Sequence, residues 1–375
     1  MTTVTRDRRA RLRDKIIESG VDALLVTDLI NIRYLTGFTG SNAALLVVAA
    51  DDESHPLDHV PGSAMSTRFC TDGRYTTQSA GEVPDLPRLI DRPCDQALLR
   101  RARGLVGFEA RSVSVADFNS LNSVTERATD SVHLAPTLDL VEGIRAIKDE
   151  GEIEALREAC AVADQALHDL IDAGGIRPGR TEREVGLDLD QRMRELGASD
   201  PSFETIVAAG PNSAIPHHRP TTAALAAGDL VKLDFGATVD GYHSDMTRTF
   251  VLGRPADWQR EIYLLVQQAQ TAGRDACLIG ASGAAIDAAA RNVIADAGYG
   301  DEFSHGLGHG VGLQIHEAPS LARESQSMMD ADMCVTVEPG VYLPGRGGVR
   351  IEDSGVVRPD GYEILTLTTK EFLAL

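Results

Sequence analysis

The sequence predicts an α/β domain over residues 1–140, followed by an α+β domain over residues 141–375 in which helices cover an antiparallel sheet. Three observations carry this reading. A chain of 375 residues exceeds what one ordinary core organises. Short apolar runs alternate with helical patterns through the first third, which is the signature of an α/β layer arrangement. From about residue 141 long amphipathic helices are followed by strands and turns, so the domain boundary falls near residues 140–147.

In the first domain, RDRRARLRDKIIES (6–19) reads as a surface helix, and ALLVTDL (23–29) and AALLVVA (43–49) as buried strands. The polar stretch DDESHPLDHVPGS (51–63) carries prolines and glycine and reads as a surface loop, with His55 and His59 as loop residues rather than ligands. VGFEA (106–110) and SVADFNSLNSV (114–124) read as a further strand and helix.

The second domain opens with an amphipathic helix from Lys148 onward, with Ile153, Leu156, Cys160, Ala163, Leu167 and Leu170 on one face and an end at Gly174-Gly175. Thr181 and Glu184 have capping-box spacing and start a second helix that buries Val185, Leu189 and Met193. Two more helices are expected at about 256–273 and 283–297. FETIVAAG, LVKLDFGA, GYHSDMTRTFVLG, VTVEPGVYLP, GGVRIEDSGVV and GYEILTLT supply strands.

Composition narrows the function classes. Hydrophobic residues make up 43% and charged residues 25%, as in ordinary globular proteins. The net charge of −20 argues against nucleic acid or an anionic membrane as partner. The charged first residues lack the apolar core of a signal peptide, and no run of about 18 apolar residues appears. The five cysteines (Cys70, Cys94, Cys160, Cys277, Cys334) are scattered without a CxxC pair and read as reduced thiols. Together these features point to a cytoplasmic protein.

The chemistry concentrates in LDFGATVDGYHSDMTRTF, Leu233 to Phe250. Asp240-Gly241 is a favoured two-residue hairpin turn. Counting back from it places Val239 opposite Tyr242, Asp234 opposite Thr247 and Gly236 opposite Asp245. The two aspartates then share a face as diagonal neighbours, at a separation from which they hold a divalent cation between them or stand as solvated strand carboxylates. HGLGHGVGLQIHEAP puts His305, His309 and His316 in a Gly-rich segment. Glu338 ends an apolar strand before a proline. Arg350 and Glu352 lie two apart, on one face of another strand. Asp234, Asp245, Glu338 and Glu352 carry four negative charges, which two divalent cations balance and which otherwise repel one another. Oxygen donors with one imidazole favour Mn²⁺, Co²⁺, Fe²⁺ or Zn²⁺. A two-metal centre activates water and clamps a carbonyl under hydrolysis.

These motifs, with VDALLVTDLINIRYLTGFTGS, FCTDGRY and IRAIKDEGEIEALREA, resemble the aminopeptidase P and Xaa-Pro dipeptidase (prolidase) family over nearly the whole chain. The resemblance implies a creatinase-type N-terminal domain before a catalytic domain of the pita-bread fold. It implies that Asp234 chelates one metal, that His309 and Glu338 hold the other, and that Asp245 and Glu352 bridge both, with Mn²⁺ the leading candidate. It further implies attack by a metal-bridging hydroxide on the bond before proline in short peptides. By motif, His217 in SAIPHHRP corresponds to a histidine that binds substrate and shuttles protons, although the residues alone do not choose between His217 and His218. His316 corresponds to one that meets the oxyanion or the substrate, and His305 to one that lines the pocket. Tyr342 and Arg350 correspond to residues that hold the first aspartate in place. Relatives also imply a homodimer. Competing readings are a non-catalytic pita-bread binding or scaffold protein and a methionine aminopeptidase-like enzyme. The complete donor set opposes the first, and the domain before residue 140 opposes the second. Dipeptidase and aminopeptidase action both remain open at this point.

Overall fold

The computed structural model describes residues 2–50, 65–126 and 132–375. The predicted loop 51–63, with His55 and His59, lies outside the described residues. The chain divides into two units, Met1–Arg145 and Ala146–Leu375.

The first unit runs α1 (Thr2–Glu18), β1 (Ala23–Val26), α2 (Leu29–Thr36), β2 (Ala43–Val48), β3 (Arg68–Thr71), α3 (Thr76–Glu82), β4 (Arg88–Ile90), α4 (Cys94–Leu99), β5 (Gly104–Glu109), α5 (Val115–Thr125), β6 (Val132–Thr137) and α6 (Leu140–Arg145). Its strands form one mixed sheet in the order β4-β3-β2-β1-β5-β6. β1, β5 and β6 are mutually parallel, and β2 is antiparallel to β1 and β3. Two expectations change here. The strand expected to run to Leu29 stops at Val26, because the Asp28 carboxylate accepts from the backbone N–H groups of Ile30 and Asn31 and starts α2 instead. The arginine-rich α1 is not wholly a surface helix. Leu12 and Ile16 are buried, and Arg9 is fully buried with its guanidinium paired to Asp85 at 2.7 Å and bonded to the Leu35 carbonyl at 2.8 Å.

The second unit begins with α7 (Glu150–Asp172) and α8 (Glu182–Glu195), each started by a capping box, Asp149 with Glu152 and Thr181 with Glu184. β7 (Asp200–Pro201), β8 (Ile206–Ala209), β9 (Leu230–Phe235), β10 (Ala237–Val239), β11 (Tyr242–His243) and β12 (Met246–Val251) follow. These strands form two three-stranded sheets, β12-β9-β8 and β11-β10-β7. Leu167, Leu170, Val185 and Leu189 of the helices pack on Val207, Leu233, Phe235 and Met246 below them. The pattern then recurs. α9 (Asp257–Asp275) and α10 (Gly283–Asp296) cover β13 (Gly308–Gly310), β14 (Glu317–Leu321), β15 (Cys334–Val337), β16 (Gly340–Leu343), β17 (Gly347–Arg350), β18 (Asp353–Arg358) and β19 (Gly361–Ile364). Val266, Ile286 and Ile294 pack on Val335, Val337 and Val357. A helix pair over an antiparallel sheet therefore occurs twice in this unit, an internal similarity not evident in the residues.

The hairpin register is the one counted from the turn: Val239 pairs with Tyr242 and Asp234 with Thr247. Asp240 and Gly241 both have positive φ, 48° and 76°, as a two-residue turn of this hand requires. The single hairpin nevertheless serves two sheets, splitting at Gly236. A Cβ there would lie 1.8 Å from the Ser244 carbonyl oxygen, so only glycine allows the crossing.

The sequence predicts one strand over GGVRIEDSG, and the structure breaks it in two. β17 pairs with β16, whereas β18 pairs with β15. Ile351 and Glu352 form the step between the two sheets, where the Glu352 N–H bonds to the Thr247 carbonyl. All five cysteines are free and buried. Among the described residues, no helix is long and apolar enough to cross a membrane.

Candidate metal centre

Five side chains from separate segments converge in the second unit. Asp234 comes from β9, Asp245 from the residue before β12, His309 from β13, Glu338 from the residue after β15, and Glu352 from the step between β17 and β18. Strand ends and sheet crossings supply three of the five, Asp245, Glu338 and Glu352. There the backbone leaves its ladder, and a side chain can point along the sheet instead of into either face.

Donor atoms of Asp245, His309 and Glu352 lie within 4.8 Å of one another. His309 Nε2 is 3.6 Å from Asp245 Oδ2 and 3.4 Å from Glu338 Oε1. Its Nδ1 donates to the Gly310 carbonyl at 3.0 Å, so Nε2 is the nitrogen that faces the carboxylates. Asp234 is bonded by Arg350 Nη2. Glu352 Oε2 accepts from Thr247 Oγ1 at 2.7 Å, while its buried Oε1 finds no hydrogen-bond partner among the described residues.

The electrostatics show a surplus of negative charge. Burial, and then the charge of Asp234, pushes the Asp245 carboxyl well above the usual carboxylate range. Burial, and then Asp245, does the same to Glu352. Glu338 goes the other way: against burial, the His309 hydrogen bond lowers it to about 2. Against burial, contact with Glu338 raises His309 to about 9. A divalent cation relieves such a cluster, and the orphaned Glu352 Oε1 points to the same conclusion. Four carboxylates and an imidazole whose Nε2 a divalent ion deprotonates on binding fit divalent first-row ions.

The surrounding residues form a continuous brace. Arg350 Nε takes Thr247 Oγ1 at 3.0 Å and its Nη1 takes the Tyr342 hydroxyl at 2.7 Å. Arg350 is fully buried and, against that burial, contacts with Tyr342 and Asp234 keep it protonated. The Tyr342 hydroxyl lies 2.8 Å from His305 Nε2, and His305 Nδ1 lies 2.8 Å from the Gly306 carbonyl. His305 Nδ1–H therefore donates to that carbonyl, and Tyr342 donates to Nε2. Burial holds His305 below the usual imidazole range, consistent with this neutral tautomer. His316 is exposed and stacks edge-on against His309, with centroids 4.4 Å apart. His217 is exposed, whereas His218 is buried and bonded to Glu182 at 2.8 Å. Desolvation lowers both His305 and His316, and the carbonyl of Pro216, the residue before His217, lies 3.3 Å from Arg350 Nη1. These contacts link His305, His316, Tyr342 and Arg350 to the five donor residues.

Several supporting residues left no mark in the sequence patterns. Thr247 orients both Glu352 and Arg350, and its position opposite Asp234 was the available signal. Asp287 and Arg291 on α10 hold the 303–307 segment, Arg291 donating to the Phe303 and His305 carbonyls and Asp287 accepting from the Leu307 N–H. Lys148 pairs with Glu317 at 2.6 Å, beside His316. These contacts join residues far apart in sequence and leave no local pattern.

Comparison with known proteins gives a consistent picture. Residues 154–359 match the model of metallopeptidase family M24, and residues 8–147 match the creatinase/prolidase N-terminal domain. The chain is 33% identical to the Xaa-Pro dipeptidase of Pyrococcus furiosus over 98% of this chain and 100% of that protein. Among solved structures it is similar to an Xaa-Pro dipeptidase from Bacillus anthracis, with TM-score 0.90 and 36% identity over 99% of this chain and 100% of that one. It is also similar to an X-Pro aminopeptidase from Thermotoga maritima, with TM-score 0.84 and 31% identity over 98% and 99% of the respective chains.

Proposed function

Because the chain belongs to metallopeptidase family M24 and carries a creatinase/prolidase N-terminal domain, we propose that it is a metal-dependent exopeptidase that hydrolyses the Xaa-Pro bond at the N-terminus of short peptides. The observation that carries this reading is the convergence of Asp234, Asp245, His309, Glu338 and Glu352 around a buried, orphaned carboxylate oxygen. Relatives named Xaa-Pro dipeptidase, similar over the full chain length, support the proline preference.

In this reading Asp234, Asp245, His309, Glu338 and Glu352 hold two divalent ions, Mn²⁺ being the leading choice. When bound, the ions lower the pKa of water and polarise the substrate carbonyl. The chain supplies the rest. Arg350, itself held by the Tyr342 hydroxyl, keeps Asp234 in place. Thr247 fixes the rotamer of Glu352. His316, exposed beside His309 and lowered by desolvation, donates a hydrogen bond to oxygen charge developing at the scissile carbonyl. His217, which is exposed, binds the substrate and moves the proton to the departing nitrogen. His305 lines the pocket and steadies Tyr342. The active form is a homodimer, as the resemblance implies.

Purified protein loaded with Mn²⁺ is assayed in parallel on Xaa-Pro dipeptides and Xaa-Pro-Yaa tripeptides. Turnover abolished by chelator and restored by metal is the expected result, and no turnover of either length refutes the proposal. The length that is cleaved decides between dipeptidase and aminopeptidase action, and sedimentation showing only a 40.1 kDa monomer refutes the dimer.

A further inference from the structure

The two neighbouring histidines differ in what holds them. Glu182, the first residue of α8, is fully buried. Its Oε1 accepts from the Ala209 N–H at 2.9 Å and from Asn212 Nδ2 at 2.9 Å. Its Oε2 lies 2.8 Å from His218 Nε2 and accepts from the Thr221 N–H at 2.9 Å and the Thr221 hydroxyl at 2.7 Å. A buried carboxylate is tolerated only with such saturation, and these donors span the whole segment 209–221. The same segment is gripped from the other side. Lys232 Nζ donates to the Ile215 and Pro216 carbonyls at 2.8 and 3.1 Å, and Arg350 Nη1 reaches the Pro216 carbonyl at 3.3 Å. Residues 215, 216 and 218 are thus tied down, while His217 between them is exposed. Pro216 and His217 lie in a turn, so the bonds held on both sides of His217 fix where that turn presents it.

Building on the exopeptidase reading, we propose that Glu182 is a positioning residue for His217: by clamping segment 209–221 and capturing His218, it aims the His217 imidazole at the substrate. Glu182 lies outside the donor cluster and acts only through the segment it holds. A misplacement of about 1 Å in a proton-transfer group lowers turnover by about 100-fold, so the clamp has a kinetic signature.

The test is a double-mutant cycle of Glu182→Gln and His217→Ala, with kcat and KM on a cleaved Xaa-Pro substrate, bound metal, and hydrogen exchange across 209–221. The expected result is that Glu182→Gln keeps its metal, speeds exchange in 209–221 and lowers kcat about 10–100-fold with KM little changed. In the His217→Ala background the same substitution produces no further loss. An unchanged kcat, or an equal loss in both backgrounds, overturns the proposal. Should Glu182→Gln fail to fold, Thr221→Val, which removes one donor to the same carboxylate, runs through the cycle with the same supporting and overturning results. A wild-type enzyme inactive on every Xaa-Pro substrate refutes the exopeptidase reading, and this inference falls with it. An active wild type with either overturning result refutes this inference alone.

Discussion

Tyr342 illustrates how a side chain that binds no cation governs those that do. Its hydroxyl accepts from Arg350 and donates to His305, and burial lifts its own pKa to about 12, so it stays a phenol at working pH. Removing that hydroxyl frees the guanidinium that braces Asp234. Tyr342→Phe should lower metal affinity or kcat/KM by about 10–100-fold, read by metal titration and steady-state kinetics. A second residue, Glu109 in the first unit, sets a pH dependence. Burial raises its carboxyl from 4.5 to about 7, against the bonds it accepts from the Thr27 and Asp28 N–H groups and from Asn31. The folded chain therefore holds a proton that the unfolded chain releases. That stability is complete below about pH 4.5 and is lost as pH rises through about 7, a change on the order of 3 kcal/mol. Urea unfolding of the full chain between these pH values should show that slope, and Glu109→Gln should flatten it.

At the scale of elements, the hairpin from β9 to β12 does two jobs. Its register puts Asp234 and Asp245 on one face, and its split at Gly236 passes the chain from one sheet to the next. Gly236→Ala forces a methyl group into the Ser244 carbonyl and should destabilise the chain by about 1–3 kcal/mol, since backbone cannot step aside as a side chain does. Thermal unfolding together with a drop in bound metal is the measurement. The register, the turn and the Thr181–Glu184 capping box were legible in the residues because each depends on contacts within a few positions. The start of α2 at Asp28 and the break after Arg350 were not. Local pattern favoured continued strands there, and side-chain capping in one case and pairing with a distant strand in the other prevailed.

For the whole molecule, the cluster adds a shared charge centre to segments already joined by strand pairing and hydrogen bonds. Divalent metal bound to the folded chain and not to the unfolded one adds about 2.7 kcal/mol of stability at a concentration 100 times Kd. Melting temperature should therefore climb with Mn²⁺ concentration and fall back with chelator. The gain should shrink in acid, because protons compete for the same carboxylates and imidazole. A melting temperature that ignores metal would count against the centre. What the sequence by itself determined was the hairpin that sets Asp234 and Asp245 on one face and the layered two-domain plan, both consequences of short-range periodicity and turn chemistry, while the roles of the five donors came as what the family resemblance implies. Tertiary structure alone decided that His218 is buried against Glu182 while His217 is exposed, that Glu352 lies between two sheets, and that Thr247 and Arg291 brace Glu352 and the His305 segment. The reason is physical: these outcomes depend on which buried polar group finds its partner far along the chain, and proximity of that kind exists only once the chain has folded.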